Sequence, residues 1–175
     1  MTQLLSSQVT RRSSLRRTAS AWVLCLALMQ AFTQSGLAQA QVIVGQALPA
    51  VSLTDQHDKP WQITSGTRLV IFAAGRKASN LIQTVLQALP KDQLTRRNAL
   101  YLADMSKMPG FITRTFALPA LKEMPYSMGV SLDEATLAAW PRQADAVTLI
   151  ELDQGLIKRI SYVATEADLK AALER

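Results

Sequence analysis

The chain has 175 residues, 49% of them hydrophobic, with one cysteine, one histidine and a formal net charge of +6. A single cysteine excludes an intramolecular disulfide. Downstream of Cys25 there is no thiol at all, which excludes thiol–disulfide exchange, thiol peroxidase chemistry and a zinc thiolate site there. Four arginines (Arg11, Arg12, Arg16 and Arg17) lie before residue 41, so the remainder holds 15 basic against 13 acidic residues, a net +2 that gives no warrant for nucleic-acid binding.

Residues 1–40 read as an export signal. The four arginines make its start positive, and no acid occurs before Asp55. The apolar run from Ala21 to Met29 is about half the roughly 20 residues that a bilayer span needs. Ala38-Gln39-Ala40 supplies small residues at the spacing a signal peptidase uses, so cleavage is expected after Ala40. Thr10-Arg11-Arg12-Ser13-Ser14-Leu15-Arg16 resembles the twin-arginine export motif but has Ser14 where phenylalanine is usual, and both Tat and Sec export stay open. Leu24, ahead of Cys25, is too large for a lipoprotein cleavage site. The expected destination is the bacterial periplasm, with membrane contact only during export. Residues 41–175 then form one domain with one core.

Val42 to Pro49 reads as an extended lead-in. Val51-Ser52-Leu53-Thr54 alternates apolar and polar residues, as a half-exposed strand does. After the polar turn Asp55 to Pro60, Trp61-Gln62-Ile63 is expected to pair back as a hairpin. Leu69 to Ala74 is rich in β-branched and aromatic residues and does not alternate, which predicts a central strand buried on both faces. Gly75 ends it. Ala78, Leu81, Ile82, Val85, Leu86 and Leu89 recur at helical spacing until Pro90 stops the helix.

Ala99 to Ala103 predicts a second buried strand. Phe111 to Met124 reads as helical with a kink at Pro119, and Tyr126 to Leu132 as containing a short extended stretch. Val147 to Leu152 and Leu156 to Tyr162 flank Asp153-Gln154-Gly155, an antiparallel hairpin signal. Thr165 is placed to cap a last helix over Glu166 to Leu173, with Glu166 and Asp168 in its first turn. This order predicts a three-layer α/β sandwich. Its mixed central sheet has an N-terminal hairpin extension and a C-terminal β-hairpin plus helix.

The element order, with Gly45 to Pro49 and Leu53-Thr54-Asp55, resembles the redoxin branch of the thioredoxin-like superfamily. Ala74-Gly75-Arg76-Lys77-Ala78-Ser79-Asn80, Asp153 to Lys158 and the missing cysteines are more similar to the small periplasmic YtfJ-type proteins. The resemblance implies a reactive cysteine at the start of the first helix, where this chain has Gly75 to Asn80. It also implies a cis-proline before the strand at Val147, where this chain has Ala144-Asp145-Ala146. Neither group is present, so the scaffold is expected to serve a use other than redox chemistry.

A helix start presents free backbone N–H groups and the positive end of the dipole. Arg76 and Lys77 add two cations there, with Ser79 and Asn80 alongside. This predicts contact with an anionic ligand or an acidic segment of an envelope protein; the alternative is an ordinary turn capped by Ser79 or Asn80. Trp140 and Val147, in and after the loop Ala138 to Ala146, are expected on the same face, although packing beneath the loop is the favoured reading for Trp140. His57 sits in a polar turn between Asp55 and Asp58 and reads as solvated. Arg96-Arg97 reads as a solvated loop. The loop acids Asp104, Asp133, Glu134, Asp145 and Asp153 show no paired spacing for acid–base catalysis. Met105, Met108, Met124 and Met128 suit gap filling better than copper binding. No catalytic residue, metal site or cofactor is therefore assigned. The expected function is that of a non-catalytic binding or accessory protein of the periplasm. The alternatives are a thiol-independent enzyme on the same scaffold, or an accessory subunit of a cysteine-bearing oxidoreductase.

Overall fold

A computed structural model describes residues 42–175. The export signal, its cleavage after Ala40 and Cys25 lie outside the described residues. Among the described residues no helix is long and apolar enough to cross a membrane.

The described strands are β1 (Leu53–Asp55), β2 (Pro60–Trp61), β3 (Leu69–Ala73), β4 (Ala99–Asp104), β5 (Met128–Ser131), β6 (Val147–Asp153) and β7 (Leu156–Val163). They form one mixed sheet in the order β2-β1-β5-β4-β3-β6-β7. β3 is central and buried at every position. It runs parallel to β4 and antiparallel to β6, with Ala73 opposite both Ala103 and Val147. Three segments therefore meet at one end of the sheet: the exit of β3, the exit of β4 and the entry of β6.

Helix α1 (Arg76–Ala88) joins β3 to β4 together with the one-turn α2 (Gln93–Arg96). The β4–β5 crossover is a helical run of three parts: α3 (Gly110–Ile112), a π-helical stretch (Thr113–Ala117) and α4 (Leu118–Lys122). Parallel crossovers that step in the same direction across a sheet place their helices on the same face. Accordingly Ile82, Val85, Leu86, Leu94 and Leu121 share one buried cluster with Tyr101 and Met128. Leu169 and Leu173 of α5 (Glu166–Glu174) complete it. Met105 and Met124 pack against the same cluster, as gap fillers do.

The opposite face carries no full helix. Val70, Phe72, Leu102, Ile150 and Ile157 are covered there by Val42, Trp61, Leu137 and Trp140. The third layer is thus built from the lead-in and from a 3-10 turn (Ala135–Leu137) with its flanking chain. The lead-in is tied to β7 by Gly45 N–H donating to Ile157 O at 2.8 Å and Ile157 N–H donating to Gln46 O at 2.8 Å.

Local chemistry accounts for the element ends. Gln154 and Gly155 take φ of 50° and 83°, the two-residue turn that suits a right-twisted hairpin. Thr165 accepts the Asp168 N–H at the start of α5. Pro119 brings no N–H, and its ring would clash with the carbonyl four residues back. The helix responds before the proline by widening: Leu118 N–H bonds to Thr113 O in the i→i+5 register. The expected kink is therefore a π stretch.

Three local expectations need correction. Gln56, read as a polar turn residue, is 2% exposed; its side chain donates to Tyr126 O at 2.7 Å and accepts from Met128 N–H at 3.0 Å. Arg96 ends the short α2 and pairs with Asp92 at 2.6 Å, while the adjacent Arg97 has its Nε buried, so this pair is not a solvated loop. Trp61 lies flat on Gly129, where an added Cβ would sit 2.6 Å from Trp61 Cδ2. Gly129→Ala should lower stability by about 1–3 kcal/mol through overpacking, measured as a fall in the urea midpoint with an unchanged slope.

Candidate functional site

The sheet end where β3, β4 and β6 meet carries a cavity of about 240 Å3. One wall is the turn into α1, with Gly75, Arg76 and Lys77; the other is the segment Arg142 to Ala146. A larger open groove of about 540 Å3, lined by Leu48 to Ser52 and Gln62 to Ser65, contains no charged residue. It therefore offers little to orient a polar ligand.

The start of α1 is chemically unusual. Its N-cap Gly75 has no side chain, no side chain caps the helix, and no acid lies in the first turn. The free N–H groups and the dipole keep their positive end toward the cavity mouth. Arg76 and Lys77 are exposed beside it. Lys77 Nζ reaches across to Asp145 Oδ2 at 2.9 Å, and both side chains are more than half exposed. Asp145 is held in the left-handed region at φ 60°. Asn80 is exposed on the first turn.

Beneath the far wall lies the strongest polar arrangement of the domain. Asp104, at the exit of β4, is 2% exposed at its side chain. Its Oδ1 accepts from Ser106 N–H at 3.0 Å and Ser106 Oγ at 2.6 Å, and its Oδ2 accepts from Arg142 Nη1 at 3.0 Å. Arg142 also donates to the Leu137 and Trp140 carbonyls and lies 5.6 Å from the Phe72 ring centre. Thr148 Oγ1 donates to Pro141 O at 3.0 Å. A buried carboxylate with all its acceptors occupied, facing a guanidinium with most donors used, is a structural anchor. Arg142 still lines the cavity, with its charge balanced by Asp104. Sequence reading passed over Arg142, because a lone arginine in a loop carries no local signal of a partner 38 residues away.

The predicted residues separate into two groups. Arg76, Lys77 and Asn80 are exposed around the start of α1. Ser79 turns inward instead and hydrogen-bonds the Tyr101 phenol. Trp140 and Val147 are corrected as contact residues: Trp140 is 4% exposed, packed edge-on to Phe72 at 5.4 Å, and Val147 is fully buried. Each fills the core under the loop, so neither side chain is available to a partner. His57 lies exposed in its turn. No group of three or more metal-ligating His, Cys, Asp or Glu side chains occurs among the described residues, nor does a cis peptide bond.

No protein-family model matches this sequence, and neither does any curated protein. Solved structures do. The thioredoxin domain of a thiol-disulfide oxidoreductase from Bacteroides vulgatus superposes with a TM-score of 0.52 at 14% identity, over 77% of this chain and 97% of that one. Reduced Prx3 from Vibrio vulnificus, in complex with hydrogen peroxide, gives 0.50 at 17% identity, over 76% and 99%. The chain has a thioredoxin-like fold. Residues 42–175 carry that fold without a cysteine anywhere in the domain.

Two outcomes follow. Asp104→Asn leaves the Arg142 charge without its partner in a mostly buried place and should cost about 2–4 kcal/mol in urea unfolding; a variant as stable as the parent would show that the pair anchors nothing. Burial holds the Tyr101 phenol protonated to well above its ordinary range, against a smaller opposing effect of the Ser79 hydrogen bond. An unfolded tyrosine ionises near pH ~10, so the unfolded chain gives up its proton first, and stability present below that pH is lost as pH rises through it. The urea midpoint should fall above pH ~10, less steeply in Tyr101→Phe.

Proposed function

We propose that this domain is a non-catalytic binding or accessory protein of the bacterial periplasm that takes an acidic group at the start of α1. The observation that carries this reading is an uncapped helix N-terminus, without an acid in its first turn, opening on a cavity ringed by Arg76, Lys77 and Arg142. A volume of about 240 Å3 is below the roughly 300–1,000 Å3 of small-molecule sites. It suits a carboxylate or phosphate group presented by something larger, such as an acidic side chain or chain terminus of an envelope protein.

The Lys77–Asp145 pair fits this role. An exposed ion pair contributes at most about 1 kcal/mol, so an incoming anion can displace Asp145 from Lys77 at small cost. The absence of a thiol from residues 42–175 removes the nucleophile that the resemblance implies. The likeness to YtfJ-type proteins and the leader-like residues 1–40 support the periplasmic part of the reading.

Titration of the 15N-labelled protein with acetate and with inorganic phosphate should shift the amides of residues 76–79 and 142–146. Arg76→Ala combined with Lys77→Ala should weaken that response at least about tenfold and fail to complement a deletion strain. A double variant that responds and complements like the parent refutes the proposal.

A further inference from the structure

The two most exposed large hydrophobic residues of the described surface lie together, away from the cavity. Phe111 is 71% exposed, Phe116 60% and Ile112 40%. They lie on the α3–π–α4 run. The two phenyl rings meet edge-to-face, 6.2 Å apart with an interplanar angle of 81°. In a regular α-helix, residues five apart point about 140° from each other, because each residue turns about 100°. The π register at Thr113–Ala117 widens the turn and brings position i+5 back toward position i. The irregular helix therefore gathers two large aromatics on one exposed side, where each costs hydration free energy in the free protein.

Charge distinguishes this ridge from an accidental exposed face. Residues 105–122 contain Lys107, Arg114 and Lys122 and no acid. Arg114 has no ion-pair partner among the described residues; Lys107 and Lys122 have only exposed contacts at the limit of ion pairing, 4.0 Å to Glu134 and 3.9 Å to Asp58. Apolar tips surrounded by cations are what a lipid–water interface rewards: the rings enter the acyl boundary and the bases stay with the headgroups. We propose that the ridge of Phe111, Ile112 and Phe116, with Arg114, Lys107 and Lys122 around it, docks this domain on an anionic lipid surface.

Two other occupants fit less well. A second copy of the chain would set three cations against three cations. An acidic peptide needs a groove for its side chains, and this segment lines neither of the two cavities described above. Lipid contact here departs from the expectation of membrane contact during export alone, and it stands independently of the anion site at α1.

The test uses the protein purified from the envelope of cells expressing the full chain. It is sedimented with vesicles of phosphatidylglycerol or of phosphatidylcholine, at low and at raised salt, with hydrogen exchange followed by mass spectrometry in both. Phosphatidylglycerol vesicles should carry the protein down, salt should release it, and exchange should slow in residues 105–122. Phe111→Ser combined with Phe116→Ser should weaken partitioning at least about tenfold, with an unchanged circular dichroism spectrum. Arg114→Gln should weaken it about fivefold, which keeps the test intact if the double variant fails to fold. Equal binding to both lipids, protection confined to other residues, or unaltered partitioning of Arg114→Gln overturns the proposal. So does self-association through the ridge, or selective binding of an acidic peptide there, without vesicle binding.

Discussion

The Arg142 guanidinium, held between the Asp104 carboxylate, two backbone carbonyls and the Phe72 ring, is the interaction on which the upper half of this domain depends. The chain from β5 to β6 must cross a sheet face that is mostly apolar, with Thr148 as a polar exception, and it does so with one 3-10 turn. An irregular crossover leaves backbone carbonyls that no helix satisfies. Arg142 satisfies two of them and fixes the chain at the height where Leu137 and Trp140 can enter the core. A side chain with five donors in a rigid fork suits that task; a lysine at the same place would not span carboxylate and carbonyls together.

The same pair shapes the cavity. With Asp104 occupied by Ser106 and Arg142, the far wall is anchored at Arg142, while Asp145 and the near wall at Arg76 and Lys77 stay exposed to a ligand. The two walls are joined by a single exposed contact, Lys77 to Asp145. One side of the site is thus rigid and buried, the other solvated and loosely latched. A binding site needs the first for orientation and the second for entry.

The sequence disclosed those elements whose signal is local. The unbroken apolar run of β3, the 3.6-residue period of α1, the Gln154-Gly155 turn and the Thr165 cap each have their cause within a few residues. What stayed hidden depends on partners distant in the chain. Trp140 stands in a loop among alanines, a proline and an arginine, where packing beneath the loop is the favoured reading, but its partner Phe72, 68 residues earlier, has no local signal. Ser79 has the right place for a cap, but a buried phenol on β4 claims its hydroxyl. Pro119 announced an irregular helix without saying that the distortion would take the form of a widened turn bringing Phe111 to Phe116.

Asp104 finally links two regions that chain order keeps apart. One carboxylate oxygen holds Ser106, at the start of the segment leading to the aromatic ridge; the other holds Arg142, in the wall of the cavity. In sheets with parallel strands, the strand exits are where chain direction and loop freedom converge, and ligands collect there. A thiol has no part in this arrangement. With no thiol in residues 42–175, the β3–α1 junction carries charge, and Gly75-Arg76-Lys77 makes it a cationic edge above the Asp104–Arg142 ion pair. Asp104 and the packed faces lie beneath the mouth, so substitutions at its exposed residues leave the core contacts in place.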